Sequence, residues 1–205
     1  MSICRVIAVA APVGGGKSTL TLALARALDN APTLHFDDYQ TATARPATEL
    51  EAWLNGDGDV SGFIDPNLVR DLELFKSGQL IPHPRTGTAI APAPYLVLEM
   101  PLGRAHAETS ALIDLLFWLD VPLDVALARN IRGMTSSVLA GPPQDAHKFV
   151  AWLDQYLSNY LQVVRRVFVR QQELVAPKAE VVLDGNADID SLVLAALGEI
   201  RKRWR

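Results

Sequence analysis

The 205 residues are 49% hydrophobic and 20% charged, which describes a globular chain with room for one sizeable core and too little length for two. A formal net charge of −4 argues against a general nucleic-acid binder, which needs a basic face to displace counterions, and no apolar run is long enough to span a bilayer. A single cysteine, Cys4, leaves no disulfide framework and no cysteine metal cluster, and it suits a reducing cytoplasm.

The segment from Ile3 to Val9 is apolar and β-branched, so it is expected to be a strand buried on both faces. It is too short for a secretion signal and runs straight into glycines and a lysine. From Lys17 the period becomes helical: Leu20, Leu24 and Leu28 share a face, with Ala23 and Ala27 beside them, up to Asp29–Asn30. After Pro32, Thr33 to Phe36 reads as a second strand. A polar stretch from Asp37 to Asp65 follows, with a helix-like run at Ala47 to Leu54 and a turn at Asn55 to Asp59.

Asp65–Pro66 is an N-cap with proline at the first helical position. Leu68, Leu72 and Phe75 continue that helix to Gly78. Residues 81–94 hold too many prolines for a helix. Tyr95 to Met100 and Ile113 to Asp120 read as buried strands, and Asp120 as the N-cap of a helix that starts at Pro122 and stops at Gly133. A long helix over about Asp145 to Leu174, a strand over residues 180–185 and a closing helix from Ile189 to Arg203 complete the chain. Trp53, Trp118 and Trp152 are expected to be core or helix-packing residues rather than base-stacking platforms, Trp118 most firmly because it lies in a strand.

Strands separated by helix-length segments imply a parallel sheet covered on both faces, with the ligand at the carboxyl ends of the strands. Those ends carry Gly14 to Ser18, Asp37–Asp38, Glu99 and Asp120. Ala11 to Ser18 reads A-P-V-G-G-G-K-S, which fits the phosphate-loop pattern G-x-x-x-x-G-K-[ST] except at Ala11. Glycine amides form an anion nest there and the next helix points its positive end at it. Lys17 can reach the β- and γ-phosphates of a nucleotide, and Ser18 can ligate Mg²⁺. Asp37 can accept the proton of an attacking hydroxyl, and Glu99 can hold the metal through water or polarise the nucleophile.

These residues come in a familiar order. Gly14 to Thr19, F-D-D-Y at Phe36 to Tyr39, L-V-L-E at Leu96 to Glu99, Phe117 to Arg132 and Tyr160 to Gly185 together resemble the uridine kinase, phosphoribulokinase and nicotinamide riboside kinase group of P-loop kinases. The resemblance implies a three-layer α/β/α fold with a five-stranded parallel sheet. It further implies one domain over residues 1–205 with a helical lid near 129–148, and MgATP as phosphoryl donor. It gives Lys17, Asp37, Glu99, Arg129 and Arg132 to catalysis. Gly14, Gly15, Gly16, Lys17, Ser18, Thr19, Gly185 and Asn186 go to the nucleotide, and Ser18 and Glu99 to the metal.

The acceptor half departs from that family: "MPLGRAH" follows Glu99, and the stretch Gly133 to Gln144 carries no charge. Asp38, Tyr39, His83, Arg85, Arg104 and His106 are the residues expected around the acceptor, and the arginines suggest a polar or anionic one. The expected activity is transfer of a γ-phosphoryl group to a small-molecule hydroxyl, by a cytoplasmic monomer or homo-dimer with no nucleic-acid or membrane partner. A nucleoside monophosphate or gluconate-type kinase, resting on Arg45, Arg70 and Arg85, and a regulatory NTPase without an acceptor stay open as alternatives.

Overall fold

The computed structural model describes residues 4–39, 53–56 and 59–204. Most of the helix-like run at 47–54, part of the turn at 55–59, Ile3 and Arg45 lie outside the described residues.

Strand β1 (Arg5–Ala10) is buried along almost its whole length because both of its faces are covered. Val6, Ala8 and Ala10 point into one core and Ile7 and Val9 into another, the alternation a strand imposes on its side chains. β2 (Thr33–His35), β5 (Tyr95–Glu99), β6 (Leu115–Asp120) and β7 (Val181–Asp184) complete a five-stranded sheet in the order β2-β5-β1-β6-β7, with every pairing parallel. One face is covered by α1 (Lys17–Ala27) and the closing α7 (Ile189–Arg203), which bring Leu20, Leu24, Ala196 and Ile200 onto Val9, Val97 and Phe117. The opposite face meets Leu68, Leu72 and Phe75 of α2 (Pro66–Lys76) and Val175 of α6 (Arg165–Val175). A short helix α3 (Ala107–Leu112) precedes β6.

The chain leaves β1 toward β2 on one side, and β6 lies on the other side, so a crevice opens at the carboxyl end of β1. α1 ends where Asp29 and Asn30 turn left-handed, at φ 56 and 58. The Asp65 carboxylate caps α2 by accepting from the Asn67 N–H at 2.8 Å.

Several elements differ from the sequence reading. Helix α4 (Leu123–Leu139) passes through Gly133, which has no left-handed φ to stop it, and it closes only before Pro142, which starts α5 (Pro143–Asn159). The expected long helix is therefore α5 and α6 joined by a π-turn at Tyr160–Val164. Within residues 81–94 a small antiparallel hairpin forms, β3 (Ile81–Pro82) with β4 (Ala89–Ile90). Asp120 does not cap α4. Pro122 holds that position without a side-chain bond, and the Asp120 carbonyl instead accepts from the Gly185 N–H at 2.9 Å. Of the tryptophans, Trp118 is buried in the core, and Trp152, 45% exposed, packs along its helix by stacking on Phe149 and Tyr156. Cys4 is a buried thiol, and burial pushes its pKa up to about 11. Among the described residues no helix is long and apolar enough to cross a membrane.

Candidate nucleotide-binding site

The loop between β1 and α1 is shaped by what lies around it. Gly14 is left-handed, at φ 78, and a Cβ there would sit 2.0 Å from the Ala126 carbonyl oxygen of α4. A Cβ on Gly15 would stand 2.8 Å from the methyl of Ala11. The alanine that departs from the loop pattern is thus itself a reason why position 15 must be glycine. Gln171 of α6 holds the Ala11 carbonyl through its Nε2 at 3.2 Å. α1 begins at Gly16 with no side-chain cap and no acid in its first turn. Its first N–H groups stay available for an anion, and the helix dipole favours one there.

Glu99 is the hub of the site. Its Oε1 accepts from Ser18 Oγ at 3.0 Å and lies 3.9 Å from Lys17 Nζ. Its Oε2 accepts from His35 Nδ1 at 2.6 Å. His35 and Glu99 are register partners across β2 and β5, so the strand pairing itself brings them together. Burial alone would raise the Glu99 pKa, but the His35 bond, the Lys17 charge and the Ser18 bond outweigh it and hold the carboxyl below its usual value. The hydrogen bond to Glu99 raises His35 against the opposing effect of burial. Lys17 is lowered by burial, although Glu99 and Asp37 pull it the other way. Its ammonium also donates to the Pro12 carbonyl at 3.3 Å.

Asp37 lies on the 3₁₀ turn Phe36–Asp38 just beyond β2. Its exposed carboxylate is close enough for its charge to act on both Lys17 and His35. Asp38 pairs with Arg85 and lies 3.9 Å from His83 Nε2, so these three expected acceptor residues do gather, at the β3–β4 hairpin.

The other three do not join them. The Tyr39 hydroxyl is buried and donates to Asp71 at 3.1 Å, and burial raises its pKa further. Arg104 is a structural clamp: Nη1 donates to the carbonyls of Ser110 and Ile113, and Nη2 to Glu180. His106 caps α3, its Nδ1 accepting from the Thr109 N–H. Each is held by partners that the fold supplies.

Across the loop, Arg129 Nη1 donates to the Gly185 carbonyl at 2.8 Å and Nη2 to Asn186 Oδ1 at 3.5 Å. A cavity of about 580 Å³ lies between the loop and α4, lined by Gly14, Gly16, Lys17, Ser18, Thr19, Arg129 and Asn130 among others. A second, of about 200 Å³, runs on toward Leu119, Gly185 and Ala187. Arg132, further along α4, lines neither.

The donor set fits magnesium and a nucleotide. Ser18 and Glu99 offer hard oxygen ligands 3.0 Å apart, beside an uncapped helix start and a buried ammonium. Functional residues missed by the sequence reading are His35, which belongs to no motif, and Gln171, which supports the loop from 160 residues away.

No protein-family model matches the chain, and no curated protein matches it. Solved structures do. The fold is similar to that of shikimate kinase from Acinetobacter baumannii, solved with shikimate, at 15% identity and TM-score 0.53 over 99% of this chain and 96% of that one. A possible uridine kinase from Bacillus stearothermophilus matches at 14% identity and TM-score 0.50, over 90% of each chain. A gluconokinase from Sinorhizobium meliloti matches at 16% identity and TM-score 0.49, over 97% of this chain and 92% of that one. At such identities the likeness to the first two is one of fold, a three-layer α/β arrangement.

Proposed function

We propose that the protein is an ATP-dependent kinase that moves a γ-phosphoryl group to the hydroxyl of a small molecule, in the manner of the uridine kinase-like group. The observation that carries this reading is the cluster around Glu99. Ser18 donates to it, Lys17 lies 3.9 Å away, and Asp37, on the turn beyond β2, is near enough for its charge to act on Lys17. A phosphate grip, a metal position and a base candidate thus gather at the carboxyl edge of the sheet.

In this reading the loop amides and Lys17 hold the β- and γ-phosphates, and Ser18 and Glu99 hold Mg²⁺. The metal supplies neutralisation of the charge on the phosphate oxygens. Asp37 accepts the proton of the acceptor hydroxyl. Arg129, fixed on the Gly185–Asn186 loop, borders both cavities and is the arginine assigned to the nucleotide, and Arg132, further along α4, stays the candidate for the transferring phosphoryl group. The α4–α5 pair serves as the lid. Catalysis then rests on positioning and electrostatics.

The nucleoside monophosphate and gluconate-type alternative loses support because Arg70 is bound to Asp71 and Arg85 to Asp38. The reading is tested by assaying ADP release over a panel of alcohols, with Asp37→Asn as the blank. Release that depends on one acceptor class and vanishes in the blank supports it. Slow hydrolysis indifferent to every alcohol would favour the regulatory NTPase instead.

A further inference from the structure

A third cavity, of about 160 Å³, lies beside the phosphate loop, against Val13 and Gln171. Its wall includes Val13, Phe36, Trp53, Phe63, Leu102 and Phe168. Val13 belongs to the phosphate loop, Phe36 is the residue before Asp37, and Leu102 follows closely on Glu99. The cavity is therefore built from sequence neighbours of the groups assigned to transfer.

The chemistry of that wall is carbon. Trp53 and Phe63 meet edge to face at 5.7 Å. Gln171, which also borders the cavity, donates through its side-chain amide to the carbonyls of Ala11 and Pro101. No charged side chain lines the cavity among the described residues. The nearby arginines that suggested an anionic acceptor are occupied, Arg85 by Asp38 and Arg104 by Glu180. An anion seated here would lose its hydration with nothing to replace it. A cavity of about 150 Å³ with a comparable lining suits a benzene ring.

Building on the kinase reading above, the geometry points to an acceptor that is a neutral alcohol with an apolar body the size of one six-membered ring. Its hydroxyl lies toward Asp37, and its body is held by apolar contact alone. This replaces the polar or anionic acceptor expected from the sequence.

The test titrates the full chain calorimetrically with 2-phenylethanol, 4-(2-hydroxyethyl)benzoate and sorbitol, follows tryptophan emission in parallel, and measures MgATP-dependent ADP release with each. The expected result is that 2-phenylethanol binds, shifts the emission and raises ADP release, with KM at least tenfold below that of the other two. Val167→Asp, which places a carboxylate on the cavity wall, is expected to weaken 2-phenylethanol at least tenfold with MgATP binding unchanged. Phe63→Leu is expected to weaken it severalfold and serves if the aspartate variant does not fold. Absence of 2-phenylethanol binding, or binding indifferent to both variants, overturns the inference. So does ADP release driven by sorbitol or the benzoate and not by 2-phenylethanol, an outcome that leaves the kinase reading standing. Failure of the wild type to bind MgATP overturns the kinase reading instead, and the calorimetric titration of 2-phenylethanol still reports on the cavity alone.

Discussion

His35→Leu removes the partner of Glu99 Oε2. The bond is short, 2.6 Å, and its side chains are only 24% and 10% exposed. A hydrogen bond to a charged group in such a place contributes about 2 kcal/mol. In a chain of this size that corresponds to a loss of roughly 4–8 °C in Tm. The pH dependence fixes the sign. The folded-state pKa of His35 is raised above its ordinary 6.5, so its charged contribution is complete below that value and is lost as pH rises through the folded pKa. Glu99 is held below its ordinary 4.5, so its contribution is present above 4.5 and is lost as pH falls through the lower, folded value. The gap between wild type and variant is therefore widest between about pH 4.5 and 6.5 and narrows in alkali. Thermal melts at half-unit steps from pH 4 to 9 measure it. A gap as large at pH 9 as at pH 6, or none at pH 6, would refute the ion-pair account of the hub.

Three further variants probe the surrounding structure. The Thr21 hydroxyl is fully buried in α1 without a partner among the described residues, so Thr21→Val, which keeps the shape and removes the stranded group, is expected to stabilise by about 1 kcal/mol in denaturant unfolding. Arg104→Ala is expected to cost about 3 kcal/mol, since it strands Glu180, whose other oxygen accepts from the Leu116 N–H at 2.8 Å in β6; the acceptor KM should stay the same in the folded fraction. Gly185→Ala forces a Cβ to within 2.1 Å of Val121 Cγ2. It is expected to destabilise by about 1–3 kcal/mol and to weaken nucleotide binding, measured calorimetrically, because Arg129 is anchored on the Gly185 carbonyl.

The strands were legible because a parallel sheet covered on both faces demands near-continuous apolar runs, and β1, β5 and β6 are such runs. The phosphate loop was legible because its chemistry is local: glycines, lysine and serine sit within a few residues. What escaped depends on partners distant in sequence. His35 reads as an ordinary histidine until β2 is set beside β5 and the register places it opposite Glu99. Arg104 looks like a free cation until Glu180, 76 residues on, is packed against it. Gly133 reads as a helix stop, yet glycine stops a helix only where the backbone turns left-handed, and at Gly133 it stays helical. Trp152 takes the helix-packing alternative, its ring stacking along α5 while it stays half exposed.

The central claim is a division of labour: Lys17 grips the phosphates and Asp37 primes the alcohol. Thermal melts with MgATP at a hundredfold its Kd test it most directly. Binding at that level adds about 2.7 kcal/mol to the wild type, a rise of roughly 5–11 °C. The account predicts that Lys17→Ala loses this rise, while Asp37→Asn keeps it in full yet transfers no phosphoryl group. An Asp37→Asn protein that no longer binds MgATP, or a Lys17→Ala protein that shows the full rise, would contradict it.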